Sequence, residues 1–160
     1  MSNEFINKEI DEIMKGSDFD FPQNTAMSSA WILGNLKGTN LKVLKMSKDF
    51  SLTDFFVIGS AQNSIQSKAM ADEVCFQLKR HNVEVRSKES DQNSEWVLLD
   101  FGDIIVHIFV EHARSTYDLE SLWSNSTEIE IPQEYYFEKS NQPEVNTSNN
   151  SEEKPDKDYF

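Results

Sequence analysis

With a single cysteine, Cys75, in 160 residues, the chain has no means of forming an internal disulfide and suits a reducing compartment. Cys75 falls in an apolar helical pattern, where a small buried hydrophobe is a better reading than a nucleophile. No apolar run reaches membrane-spanning length, and the amino terminus is acidic rather than basic and then apolar, so no signal-peptide pattern is present. The expectation is a cytoplasmic protein, or an organelle-matrix protein if a transit peptide has been removed, against which the acid-rich start argues. Basic residues are also scarce, 15 Lys and Arg against 28 Asp and Glu, for a formal net charge of -13. Residues 1–24 carry two basic and six acidic residues, residues 132–160 three and seven, and residues 25–131 ten and fifteen. Even the central part is acidic. Binding through phosphates needs clustered Lys and Arg, and the one basic cluster, Lys79, Arg80, Arg86 and Lys88, is small and interrupted by acids. Little direct nucleic-acid contact is expected, and a basic protein partner is favoured.

What is present is concentrated between Trp96 and Trp123. Two short runs rich in Val, Ile, Phe and Trp, residues 96–99 and 104–110, flank Asp100-Phe101-Gly102-Asp103 and read as paired strands with Gly102 in the turn. A helical pattern over 114–123 follows. Upstream, the spacing predicts helices over 25–37 and 64–81 and strands over 41–46, 54–59 and 83–86. Phe55-Phe56-Val57-Ile58 has no polar alternation and suits a strand covered on both faces. The stretch 87–95 reads as a polar loop. Residues 1–24 form an acidic, weakly ordered extension with one amphipathic patch at Phe5, Ile6, Ile10, Ile13 and Met14. Residues 132–160 hold too few aliphatic side chains to offset the entropy of ordering them and read as a disordered acidic tail. Between them, residues 25–131 form one α/β (α+β) domain with a mixed, roughly five-stranded sheet flanked by helices.

Several groups invite chemical readings. Gly59-Ser60 between a strand and a helix could cradle a phosphate, but no GxxxxGK[ST] or GxGxxG accompanies it and a plain turn is favoured. Asp100 and Asp103 could hold Mg²⁺ for nucleotidyl transfer. Their spacing of three across Phe101-Gly102 instead suits side chains bonded to local backbone N–H groups. His107, Glu111 and His112 do not converge on a strand, and no cofactor or metal is expected. His107, in an apolar run, reads as a partly buried histidine bonded to a neighbour such as a nearby acid. Tyr117, Glu120 and Trp123 recur at i, i+3 and i+6 and carry residue types that dominate binding hot spots.

Asp-x-Gly-Asp with the following Val106-His107-Ile108-Phe109, then Arg114-x-x-Tyr117-Asp118-Leu119-Glu120-x-Leu122-Trp123, resembles the signature of the ribosomal silencing factor family, also called the Iojap family. The similarity extends upstream through Thr53-Asp54-Phe55-Phe56-Val57-Ile58 and the helix after Ser60, so it covers about residues 25–125. The resemblance implies a degenerate nucleotidyltransferase fold without catalytic carboxylates, and hence a non-enzymatic factor. It implies binding to the large ribosomal subunit through its fourteenth ribosomal protein, a steric block to small-subunit joining, and repression of translation under nutrient limitation. Carried over, Trp96, Asp100, His107, Tyr117, Glu120 and Trp123 form the contact surface or its support. The alternatives are a metal-dependent nucleotidyltransferase using Asp100 and Asp103, a large-subunit assembly factor, and a self-associating scaffold that is a homodimer when free.

Overall fold

A computed structural model of the chain describes residues 3–49, 52–93, 95–116, 119, 124 and 126–136. Its centre is a pair of parallel strands, β2 (Phe55–Ala61) and β5 (Ile104–Val110), in register from Phe55 opposite Ile104 to Ala61 opposite Val110. Every residue of both is buried, which is what an uninterrupted apolar run requires of a central strand. Antiparallel neighbours flank them: β1 (Thr39–Met46) beside β2, and β4 (Trp96–Asp100) beside β5. Two short edge strands, β3 (Ser87–Ser90) and β6 (Ser126–Ile129), complete a six-stranded mixed sheet in the order β3-β4-β5-β2-β1-β6.

Because side chains alternate along each strand, every second residue faces the helices. Phe55, Val57, Ile104, Val106, Ile108, Val97 and Leu99 pack there against α1 (Asn3–Lys15), α2 (Gln23–Asn35) and α3 (Ser64–Arg80). Helix α2 is enclosed, with Asn24 through Gly34 buried. Helices α2 and α3 both end in paired carbonyl caps with a left-handed residue. In α2 it is Lys37 (φ 72), with Gly38 N–H donating to the Leu33 carbonyl; in α3 it is Asn82 (φ 66), with Val83 N–H donating to that of Leu78. At the other end of α3, the Asn63 side chain accepts from Gln66 N–H at 2.8 Å.

Four expectations are revised. The acidic start is not loosely held: α1 inserts Ile6 and Ile10 into the core, and Asp11 bonds Arg80 and His81 of the α3 end. The stretch expected as a loop at 87–90 is an edge strand, whereas Val83 and Val85, expected in a strand, lie against the core in irregular chain. Backbone pairing with β4 outweighs the polar composition there, and polar side chains are what an edge strand exposes. The chain after Pro132 does not leave the domain at once. A 3-10 turn, Gln133–Tyr135, buries Tyr135 against α2, where a Cβ on Gly34 would collide with the Tyr135 carbonyl. Finally, helical spacing offers Ile65, Ala69, Ala71, Val74, Cys75 and Leu78 as the apolar stripe of α3, but the buried residues are Ser67, Met70, Ala71, Val74, Gln77 and Leu78, whereas Ile65 is 80% exposed.

Candidate functional site

The opposite face of the sheet carries the side chains left by that alternation. Leu44, Met46, Phe56, Ile58, Ile105 and Phe109 form a second buried cluster, with Trp96, Leu98 and Leu119 packed against it. No residue of α1, α2 or α3 belongs to it. Leu119, which follows β5 in sequence, packs on this face.

His107 sits in the middle of the cluster, 6% exposed. Its ring is 5.3 Å from Phe56, 6.0 Å from Phe109 and 6.2 Å from Trp96, the last two stacked. The Trp96 indole Nε1–H donates to His107 Nδ1 at 3.2 Å, which assigns the ring proton of the neutral imidazole to Nε2. Burial pushes the His107 pKa down to about 4, so the ring is neutral at pH 7. The neighbour bonded here is an indole, because the β4–β5 register sets Trp96 beside the ring. Asp100 lies on the same face by alternation, and its Oδ1 accepts from Gly102 N–H at 2.8 Å. Gly102 takes φ +93, a conformation that L side chains rarely adopt, so the turn favours glycine, whereas an added Cβ would meet only the movable end of the Arg86 side chain.

Of the six residues expected at the contact surface, Trp96, Asp100 and His107 share this face. Tyr117, Glu120 and Trp123 lie outside the described residues. The helix expected over 114–123 is corrected in its described part: the helical turn is α4 (Glu111–Arg114), Ser115 and Thr116 form a turn, and Leu119 is not helical. Ser and Thr compete with helical backbone for hydrogen bonds and favour such a stop. Arg114 is no surface residue. It is 5% exposed, and its Nη1 donates to the Asn40 carbonyl at 2.6 Å and Ser60 Oγ at 2.8 Å. Phe56 and Phe109 escaped notice as members of the site, although counting by twos from His107 finds Phe109.

The remaining groups separate. His112 Nε2 is 3.1 Å from Glu95 Oε2, and among the described residues no three His, Cys, Asp or Glu side chains gather as a metal would need. Gln62 N–H and Gln66 N–H are taken by the side chains of Gln66 and Asn63, so the turn after Ser60 caps its own helix. Cys75 is half-buried, and burial pushes its thiol up, away from nucleophilic character. Among the described residues no helix is long and apolar enough to cross a membrane.

Comparison with known proteins gives a consistent result. The family model described as "Ribosomal silencing factor during starvation" matches residues 20–158. Ribosomal silencing factor RsfS of Chromobacterium violaceum is 35% identical over 91 residues, which cover 57% of this chain and 75% of that protein. The chloroplastic protein Iojap of Zea mays is 36% identical over 107 residues, 67% of this chain and 46% of the maize protein. A crystal structure of a Chromobacterium violaceum protein superposes with a TM-score of 0.60 and 31% identity, covering 66% of this chain and 88% of that one.

Proposed function

The chain belongs to the ribosomal silencing factor family, and on that premise we propose that it binds the large ribosomal subunit through its fourteenth ribosomal protein and sterically blocks small-subunit joining. Repression of translation under nutrient limitation follows by mass action, since the occupied fraction of subunits sets the number that can pair. The reading is of a non-enzymatic factor acting in the cytoplasm. The observation that carries it is the aromatic sheet face centred on Trp96 and His107, on which Leu119 also packs. Of its aromatic side chains, Trp96 is the one only partly buried, and a rigid sheet holds it ready for a partner at low entropic cost. In this reading His107, being buried, supports Trp96 rather than touching the partner, and Asp100 shapes the adjoining turn. The net charge of -13 favours a basic ribosomal protein over exposed RNA phosphates.

Sedimentation of purified subunits with the protein tests this. The protein should co-migrate with the large subunit and lower the monosome fraction; absence of both refutes the reading. Tyr117→Ala and Glu120→Ala should each weaken subunit binding while leaving the domain folded by circular dichroism, and unchanged affinity in both would refute the assigned surface.

A further inference from the structure

We propose that Arg114 is a positioning residue for the partner surface: it fixes where the chain leaves β5 and so sets the course of the residues that follow, Tyr117 and Glu120 among them. The proposal rests on the reading of the aromatic face as the subunit contact. Alternation places Ser60 on that face, in step with Phe56 and Ile58, whereas a Cβ on the intervening Gly59 would meet Leu33 on the helix side. Ser60 stands opposite Phe109 in the β2–β5 register. Arg114 ends the short helix that follows β5, and its Nη1 donates to Ser60 Oγ at 2.8 Å and to the Asn40 carbonyl at 2.6 Å. One guanidinium nitrogen thus ties the start of β1 and the end of β2 to the chain that has just left β5. Leu119, further along that chain, packs against the same aromatic cluster.

Strand β1 is adapted to this contact. Asn40 takes φ 54, a left-handed conformation uncommon outside glycine, and the β1–β2 register shifts between Thr39 and Lys42. Such an irregularity re-aims the backbone, and the carbonyl it carries is the one that Arg114 bonds. A backbone held in a sparsely populated region persists where its surroundings determine it, and a charge-assisted hydrogen bond to the carbonyl is a strong determinant. Arg114 and Ser60 are 5% and 2% exposed, so their effect on a partner is exerted through position rather than contact. A guanidinium suits the task, because its planar fork holds acceptors in fixed directions, whereas the ammonium of lysine is a point donor on a flexible stem.

The test is the affinity of the full chain for purified large subunits, titrated by co-sedimentation, with the folding of each variant checked by circular dichroism. A wild type that fails to bind refutes the contact reading itself; a wild type that binds isolates Arg114. Arg114→Lys should then bind about tenfold more weakly, having lost the planar fork. Asn40→Val, strained at φ 54, should weaken binding about fivefold, whereas Asn40→Gly, free at that angle, should stay within about twofold of wild type. Both remove the asparagine side chain, so the contrast reads the direction of the carbonyl. Added to Tyr117→Ala, Asn40→Val should cost less than about twofold further, because the side chain whose placement it disturbs is gone. Wild-type affinity in Arg114→Lys, equal affinity of the two Asn40 variants, or full additivity with Tyr117→Ala would overturn the proposal. The Asn40 contrast decides it even if Arg114→Lys fails to fold.

Discussion

On one face of the sheet, Phe55, Val57, Ile104, Val106 and Ile108 meet three helices; on the other, Phe56, Ile58, Ile105, His107 and Phe109 meet the connection from which Leu119 packs down. Both sets are buried, so area removed from water does not tell them apart. Composition does. The helix side is mainly aliphatic, with Trp31, Phe55, Phe101 and Tyr135 set among Ile, Leu, Val, Ala and Met, and packs as two interdigitated layers. The other side places an indole and an imidazole in a hydrogen bond among phenyl rings, an arrangement with a polar cost that aliphatic side chains would avoid. A family member that must present a surface has reason to keep such groups; a bare scaffold does not.

The sharpest way to separate the faces is to truncate each. Leu33→Ala, fully buried on the helix side, should cost about 2–5 kcal/mol in chemical denaturation and leave subunit binding intact while the domain is folded. Loss of binding in the folded variant would show that the helix side also serves the partner. Next in size is a pH effect confined to the other face. The folded-state pKa of His107, about 4, lies below its ordinary 6.5, so the unfolded chain takes up more protons between these values. Its contribution is complete above about pH 6.5 and falls away as pH drops toward 4, by up to about 3 kcal/mol. In His107→Asn, whose amide oxygen can accept the Trp96 N–H, that component should vanish from denaturation midpoints measured between pH 4 and 7; persistence would place the titration elsewhere.

Trp96→Phe keeps a ring but removes the donor to His107, and should cost about 1 kcal/mol, read by thermal unfolding at pH 7. The smallest effect belongs to the helix side's rim. Burial alone would raise the Asp11 pKa, but hydrogen bonds from His81 and Arg80 hold the carboxyl below its usual range. The group is partly solvent-exposed, so Asp11→Ala should cost about 1 kcal/mol or less, because exposed pairs are screened. A larger loss would mean that α1 docks mainly through this clasp rather than through Ile6 and Ile10.

Much of this contrast is legible in the sequence. Uninterrupted runs at 55–58 and 104–110 announce strands covered on both sides, and the alternation around His107 assigns its neighbours to one face. Ser87–Ser90 is not legible, because a polar edge strand is made by its neighbour's unpaired backbone and not by its own side chains. Nor is the docking of Ile6, Ile10 and Tyr135, whose value depends on flanks of α2 that only the assembled fold brings to them. Trp96 and His107 stand eleven residues apart, and only the β4–β5 register brings the indole to the ring. The burial of Arg114 is likewise tertiary: its partners, Asn40 and Ser60, come from the first two strands.

The decisive measurement is co-sedimentation of Trp96→Ala with purified large subunits, alongside the wild type and Leu33→Ala, at a temperature where all three are folded. Wild type and Leu33→Ala should co-migrate with the subunit, and Trp96→Ala should bind at least about thirtyfold more weakly, the loss expected on removing an interface anchor worth about 2 kcal/mol. Equal binding by Trp96→Ala and wild type would contradict the assignment of the aromatic face to the partner.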